Sequence, residues 1–206
     1  MTGRVLLVRH GETTWNRAGR VQGWADATLT EAGREQARAV GDHLVDAYAV
    51  DRLVVSDLKR TLETADALRQ AGVAAESERA RAWRERDFGD LQGLTRTAIA
   101  SRHPEYQRGG SLLAVRSVAG GESLSAFETR VRDGWERLVD GPGAGETVAV
   151  VTHGGPIRAV LATVTGRDLA SLAGEWSPSN CGVTAVAVDG TACSVAARDA
   201  TDHLPG

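Results

Sequence analysis

The chain contains little cysteine, no long apolar run and no excess of positive charge. Its two cysteines, Cys181 and Cys193, match no metal-ligand spacing, and so few thiols favour a reducing compartment. No apolar run approaches the ~18 residues of a membrane span, and no signal-peptide segment precedes the first short apolar stretch. A net charge of −3 gives no basic field for nucleic acid. We therefore expect a cytoplasmic protein that has neither nucleic acid nor a membrane as its partner.

The chain nevertheless has enough apolar residues for a large core. Its 206 residues fit one domain, because a domain takes roughly 150 residues. With 42% hydrophobic residues, the core needs no metal or disulfide support. Since the sequence shows no repeats, linkers or low-complexity segments, we predict a single domain over residues 1 to 206. Residues 81 to 121 are expected to be irregular and to include a lid insertion at about 96 to 121.

Short apolar runs alternate with amphipathic stretches along the chain. We predict strands at residues 4 to 8, 53 to 55, 73 to 76, 147 to 151, 183 to 188 and 193 to 197. We predict helices at residues 30 to 48, 58 to about 68, 124 to about 139 and from 156 onwards. Thr30 and Ser123 are the expected N-caps of the first and third helices, and Ser56 or Asp57 that of the second. The alternation predicts an α/β fold, a three-layer α/β/α sandwich with a mostly parallel central sheet.

Two histidines come directly after predicted strands. His10, with Arg9 beside it, follows the run Val-Leu-Leu-Val, and His153 follows Val-Ala-Val-Val and one threonine. Ligands of open α/β sheets bind at the carboxyl ends of the strands. The two histidines and the arginine therefore indicate a single site that binds an anion.

Phosphoryl transfer is a reaction that these residue types can carry out. It needs positive charge around three equatorial oxygens and a nucleophile in line with the leaving group. Arginine, histidine and backbone amides can supply that charge, and histidine can itself be the nucleophile. Arg60, soon after the second strand, adds a further cation. Glu85 is the best-placed proton donor for the leaving oxygen, although it could instead pair with Arg84 or Arg86 at the surface, and Asp87 is a rival.

Residues 7 to 16, Leu-Val-Arg-His-Gly-Glu-Thr-Thr-Trp-Asn, closely resemble the signature of the histidine phosphatase superfamily. That superfamily includes the cofactor-dependent phosphoglycerate mutases and many small phosphatases. Further blocks resemble the family in the same order, at residues 22 to 24, 29 to 33, 56 to 65, 85 to 93, 120 to 123 and 151 to 155. The ordered set spans most of the chain.

The resemblance implies a role for each matching residue. It implies that His10 becomes phosphohistidine, and that Arg9, Arg60 and His153 hold the phosphoryl oxygens. Glu85 would protonate the leaving oxygen and then activate water. Substrate-binding roles are implied for Asn16, Gln22, Gly23, Arg96 and Gly154. No metal and no cofactor are implied.

The sequence favours a phosphatase over a mutase. The segment from Phe88 to Leu94 resembles the mutases, and Arg96 stands where mutases usually carry a substrate-binding lysine. Mutases, however, are longer and carry an arginine pair in the lid, whereas this lid has only the scattered Arg102, Arg108 and Arg116. A short lid should expose the phosphoenzyme to water. We therefore predict a metal-independent phosphatase that hydrolyses small phosphomonoesters, with mutase-type transfer as the alternative.

Two other functions are weaker alternatives. A non-catalytic phosphate-binding module would not need Glu85, and a metal-dependent hydrolase would need ligand spacing that does not accompany the two histidines. The expected partner is a small phosphorylated substrate, whose identity the lid and residues 176 to 180 should determine. The oligomeric state is open, with a homodimer among the options.

Overall fold

A six-stranded mixed sheet forms the centre of the molecule. The computed structural model describes residues 3–73, 77–109, 111–140 and 145–205, with the backbone alone at 107–109. The strands are β1 (Gly3–Arg9), β2 (Arg52–Val55), β3 (Ser77–Arg79), β4 (Thr147–Thr152), β5 (Val183–Asp189) and β6 (Ala192–Ala200). Their order across the sheet is β3-β2-β4-β1-β5-β6. The first four in that order run parallel. β5 pairs antiparallel with both β1 and β6, so the mostly parallel sheet is confirmed.

Helices cover both faces of the sheet. They are α1 (Thr14–Arg17), α2 (Glu31–Ala47), α3 (Lys59–Gln70), α4 (Arg96–Arg102), α5 (Leu124–Val139), α6 (Gly154–Thr165) and α7 (Leu169–Glu175). Side chains of a strand point alternately to the two faces, and β1 shows the result. Val5 and Leu7 belong to the core that α5, α6 and α7 cover, whereas Leu6 and Val8 belong to the core that α2 and α3 cover. The three-layer α/β/α arrangement is therefore confirmed.

The pairing of β1 with β4 brings the two histidines together. The strands are parallel neighbours with Arg9 opposite Thr152, so the residue after each strand lies at the same edge of the sheet. There the backbone N–H of His10 donates to the carbonyl of Thr152 at 3.0 Å. Residues 143 positions apart in the chain thus become neighbours because the register is in phase.

The helix caps follow the sequence in two cases and differ in a third. Thr30 and Ser123 accept hydrogen bonds from the backbone N–H groups of Gly33 and Ala126, which confirms both as N-caps. The prediction of Ser56 or Asp57 as cap of α3 is wrong, because Leu58 occupies that position without a side-chain cap. The hydroxyl of Ser56 binds a histidine, and the carboxylate of Asp57 binds an arginine, as described below.

Several element boundaries also differ from the predictions. The strand expected at 73 to 76 lies at Ser77–Arg79, and residues 74 to 76 are outside the described residues. The helix expected from 156 begins at Gly154. Helices α4 and α7 were not predicted, because each has only seven residues and too few buried positions to show a helical period. In the described part of the chain, no helix is long and apolar enough to span a membrane.

Candidate active site

His10 lies buried at the end of β1 with one ring nitrogen available. Its Nδ1 is 2.8 Å from the carbonyl oxygen of Gly11. Since a carbonyl only accepts, Nδ1 carries the proton, and Nε2 keeps its lone pair. Burial, followed by the positive charges of Arg60 and Arg9, holds the pKa of His10 well below its usual range. The ring is therefore neutral at ordinary pH and presents Nε2 as a nucleophile.

His153 stands behind His10 and is fixed by two hydrogen bonds. The ring centroids of the two histidines are 5.2 Å apart. Nε of Arg60 donates to Nδ1 of His153 at 3.2 Å, so the proton of the neutral ring lies on Nε2, 2.9 Å from the hydroxyl of Ser56. Burial, followed by the charge of Arg60, lowers the pKa of His153 well below its usual value. His153 is completely buried and orients Arg60 from behind.

Arg60 is the most enclosed cation of the site, with 1% of its surface exposed. Its Nη2 and Nη1 donate to the carbonyls of Gly23 at 2.7 Å and Ala25 at 3.1 Å. Burial lowers the pKa of Arg60 to about 10, and the negative charge of Glu85 opposes that shift. Arg60 is not a surface residue of its helix, because α3 turns this side chain inward and leaves Lys59 exposed.

Glu85 is held as a carboxylate acceptor at the start of α6. Oε2 accepts from the backbone N–H of Gly155 at 3.1 Å, and Oε1 accepts from that of Arg86 at 2.9 Å. The positive end of the helix dipole favours a negative charge at this position. A Cβ on Gly155 would lie 2.0 Å from Oε1, so only glycine leaves room for the carboxylate.

The alternatives for Glu85 as a surface ion pair do not occur. Arg84 binds Asp57 instead, at 2.6 and 2.7 Å. Arg86 is buried and donates to the carbonyl of Leu113 at 2.9 Å. The rival Asp87 accepts from the N–H of Gly89 at 2.9 Å and does not line the cleft. Glu85 is thus the carboxylate that faces the cleft next to His10.

Arg9 contributes a guanidinium with an unused donor. One of its terminal nitrogens, Nη1, donates to the carbonyl of Pro178. Its Nε is buried and has no hydrogen-bond partner among the described residues. Burial lowers the pKa of Arg9, and the charge of Glu85 counteracts this. A buried donor without a partner is costly, and because Arg9 lines the cleft its guanidinium can bind an anion there.

Arg9, His10, Arg60 and Glu85 line a cleft of about 880 Å³, whereas His153 lies beneath them and is not part of the lining, so it acts on a ligand only through Arg60. We call His10, His153, Arg9, Arg60 and Glu85 the floor, and the exposed or half-exposed lining residues of α4, α7 and the lid the rim. The cleft is lined by five arginines and two glutamates: Arg9, Arg20, Arg60, Arg96, Arg158, Glu85 and Glu175. The excess of positive charge suits a small anionic ligand.

The residues with implied substrate-binding roles are placed unequally. Asn16, Gln22, Gly23 and Arg96 line the cleft, and Arg96 is exposed at the rim. The oxygen of Asn16 is occupied by the backbone N–H and hydroxyl of Thr13, which leaves its NH₂ group for a ligand. Gly154 does not line the cleft.

Two of the three lid arginines, Arg102 and Arg116, do not converge on the site. Arg116 is exposed and lies outside the cleft lining, as does Arg102. The side chain of Arg108 is outside the described residues. The lid instead contributes Ser111, Leu112 and Leu113 to the lining.

Sequence reasoning missed Arg158 and Gly155. Arg158 lines the cleft, and three backbone carbonyls hold its guanidinium: those of Gly154 at 3.0 Å, Trp176 at 3.2 Å and Ala173 at 3.3 Å. Its position five residues after His153, on the first turns of a helix that starts at the site, was the available signal. In the residues that the structure describes, no group of three or more His, Cys, Asp or Glu side chains could hold a metal ion.

Comparisons with known proteins agree with this geometry. A family model described as "Histidine phosphatase superfamily (branch 1)" matches residues 5–201. Phosphoglycerate mutase-like protein 4 of Arabidopsis thaliana is 37% identical over 158 residues, which cover 76% of this chain and 68% of that protein. The metal-independent phosphoserine phosphatase of the same plant is 37% identical over 163 residues, which cover 78% of this chain and 68% of that protein. The solved structure of Bacillus stearothermophilus YhfR has a TM-score of 0.89 at 30% identity, with 98% of this chain and 100% of that chain covered.

Proposed function

Because the chain belongs to the histidine phosphatase superfamily (branch 1), we propose that it is a metal-independent phosphatase that hydrolyses small phosphomonoesters through a phosphohistidine. The observation that carries the proposal is the tautomer of His10. Its Nδ1 proton is committed to the carbonyl of Gly11, so the Nε2 lone pair faces the cleft where Arg9 and Arg60 supply positive charge. The relative named as a metal-independent phosphoserine phosphatase supports the same activity.

The proposed first step transfers the phosphoryl group to the enzyme. Nε2 of His10 attacks phosphorus in line with the ester oxygen, so that an N–P bond forms as the P–O bond breaks. Glu85 in its protonated form gives its proton to the leaving oxygen, which departs as an alcohol, and the carboxylate that results is the form stabilised by the two N–H groups and the helix dipole. Arg9 and Arg60 hold the equatorial oxygens throughout, because charge spread over these oxygens needs fixed donors.

The proposed second step returns the enzyme to its starting state. The carboxylate of Glu85 takes a proton from water, and the oxygen of that water attacks phosphorus. The N–P bond breaks, inorganic phosphate is released, and Glu85 is protonated again. His10 recovers its neutral ring with the proton on Nδ1.

Mutase-type transfer is the second candidate, and two observations favour it. One relative is named phosphoglycerate mutase-like, and Arg96 and Arg158 place positive charge in the cleft beyond the phosphoryl site. Hydrolysis is favoured because two lid arginines, Arg102 and Arg116, lie outside the cleft lining. Isomerisation of phosphoglycerate that depends on a bisphosphate primer and outpaces phosphate release would decide for the mutase.

The setting of the reaction is also part of the proposal. We propose a small phosphorylated molecule as the partner, since a net charge of −3 offers no field for nucleic acid. The cytoplasm is the proposed location, in keeping with only two cysteines. A homodimer stays open.

The test is phosphate release from an aryl phosphate between pH 4 and 8, with and without a chelator. We expect turnover that the chelator does not affect, and a loss of ~10⁴-fold or more in His10→Ala. Rapid quench of the wild type should trap an acid-labile, alkali-stable phosphoprotein. His103→Ala is the matched control, because that histidine lies outside the cleft lining with a third of its side chain exposed. Near-full activity in His10→Ala would refute the phosphohistidine mechanism.

A further inference from the structure

A carboxylate from the last strand binds the loop that borders the catalytic floor. Asp199, next to the final residue of β6, accepts from the backbone N–H of Ser179 at 2.8 Å and from its hydroxyl at 2.9 Å. It also accepts from Nε1 of Trp176 at 3.3 Å. One half-buried side chain thus holds both ends of the stretch from Trp176 to Ser179, which we call the clamp loop.

The local backbone is shaped for this contact. Asp199 has a φ of 53°, a left-handed conformation that is uncommon for a residue with a side chain. A Cβ on Gly182 would lie 2.2 Å from Oδ1 of Asp199, so only glycine permits the approach. A strained residue with a matching glycine indicates a selected arrangement, because such strain persists only where the surrounding structure imposes it.

The clamp loop and the residues after it touch the catalytic residues directly. The carbonyl of Pro178 accepts from Nη1 of Arg9. The side-chain amide of Asn180 donates to the carbonyl of His10 at 2.8 Å, and the N–H of Cys181 donates to the carbonyl of Arg9 at 2.9 Å. The end of β1 is therefore fixed from the side of this loop.

We infer that Asp199 is a positioning residue that acts through the clamp loop to orient the guanidinium of Arg9 toward a phosphoryl group. This inference rests on the proposed phosphatase function, because it gives Arg9 an anion to hold. The loop takes one terminal nitrogen of Arg9, and the buried Nε is left without a partner among the described residues. The orientation of the guanidinium in the cleft then depends on the position of the Pro178 carbonyl. Asp199 has no other assigned part in the reaction, since it does not line the cleft.

The negative charge of Asp199 acts in the same direction as the geometry. Burial lowers the pKa of Arg9, and the charge of Arg158 lowers it further, whereas Glu85 and Asp199 raise it. Asp199 therefore helps to keep Arg9 protonated in a site with several other cations.

Asp199→Asn is the decisive variant, and the binding of inorganic phosphate is the decisive measurement. Asparagine can still accept from the N–H of Ser179 and donate to its hydroxyl, but it loses the charge and the bond from Trp176. We expect phosphate to bind about tenfold more weakly and kcat/KM to fall by ~10- to 100-fold, because a small misplacement of a catalytic group has effects of that size. Asp189→Asn, at the opposite end of the same hairpin and exposed, should change neither.

A double-mutant cycle separates positioning from general destabilisation. In an Arg9→Ala background, Asp199→Asn should weaken phosphate binding by less than about twofold, since the group that it positions is gone. Losses that simply multiply, or an Asp199→Asn enzyme that binds phosphate as the wild type does, would overturn the inference.

Thermal melts whose transitions lie above the assay temperature show that the variants are folded during the assay. If the wild type neither binds phosphate nor hydrolyses an aryl phosphate, the proposed function itself fails, which is a different result from a silent Asp199→Asn.

Discussion

At the floor of the cleft His10, Arg60 and His153 are at most 3% exposed, whereas the rim presents Arg96 to solvent. On the floor, Nδ1 of His10 is bonded to the carbonyl of Gly11, and Arg60 is bonded to His153 and to the carbonyl of Gly23. Arg96 of the rim is instead exposed. The side chains of the floor are therefore preorganised for one reaction. The side chains of the rim are more exposed and have more rotamers available, and we expect them to contact the part of the substrate that differs between substrates. Substitutions on the floor should therefore change the rate of the chemical step, and those on the rim should have small effects.

The largest difference between floor and rim should come from Glu85→Gln. Glutamine occupies the same space but cannot give or take the proton, so kcat/KM for an alkyl phosphate, which reports the transfer to His10, should fall by ~10²- to 10⁴-fold. An aryl phosphate with a good leaving group needs less proton donation and should lose less. Steady-state kinetics on the two substrates check this, with Glu105→Gln as the exposed control. Equal losses on both substrates would remove Glu85 from the role of general acid.

Two glycine substitutions, one against the floor residue Glu85 and one on the rim, should differ by a smaller factor in kcat. Gly155→Ala puts a Cβ 2.0 Å from Oε1 of Glu85, which must move the carboxylate, and kcat should fall by ~10- to 100-fold. Gly174→Ala adds a Cβ with nothing within 4 Å, although Gly174 also lines the cleft. Its activity should stay at the wild-type level, and α7 should gain about 0.5–1 kcal/mol from the helix propensity of alanine. Kinetics and thermal melts on both variants would contradict the comparison if Gly174→Ala were the more damaging.

The smallest effect should be a loss of stability in acid that originates in the floor. Burial and then the charge of Arg60 lower the pKa of both His10 and His153 well below 6.5. Between the folded and unfolded pKa values the unfolded chain binds more protons, so the free energy of unfolding must fall as pH drops below about 6.5. Each pKa unit of difference contributes about 1.4 kcal/mol.

Thermal melts at pH 7.5 and 5.0 check that sign. His10→Asn should show a smaller decrease in Tm between the two pH values than the wild type does. His103→Asn, which alters a histidine with a third of its side chain exposed, should retain the full decrease. A wild-type Tm that rises on acidification would contradict the depressed pKa values.

The sequence predicts those site residues whose position depends only on neighbouring residues in the chain. The apolar run before Arg9 and His10 predicts a strand with these two side chains at its carboxyl end, and this prediction needs no knowledge of the rest of the fold. Ser56 shows the opposite case. A serine before a helix favours capping, but this hydroxyl binds His153, 97 residues away, and no local pattern reveals such a partner.

Residues on the far side of the cleft were missed for the same reason. Arg158 and Asp199 gain their significance from carbonyls and loops that come near them only in the folded chain. Helices α4 and α7 were missed because one or two buried turns leave too short a hydrophobic period. The fold class needed no such contacts, since the alternation of strands and helices already limits the architecture.

The position of β1 also sets the time at which activity can begin. β1 leaves the ribosome well before its two neighbours in the sheet, β4 and β5. Until Thr147–Thr152 and Val183–Asp189 have been synthesised, the segment that carries the nucleophile has no edge to pair with. Domains tend to fold as units during synthesis, and contacts this distant in sequence form slowly. A growing chain therefore carries His10 as an unassembled side chain until β4 and β5 have been made, and the site can assemble only after that point.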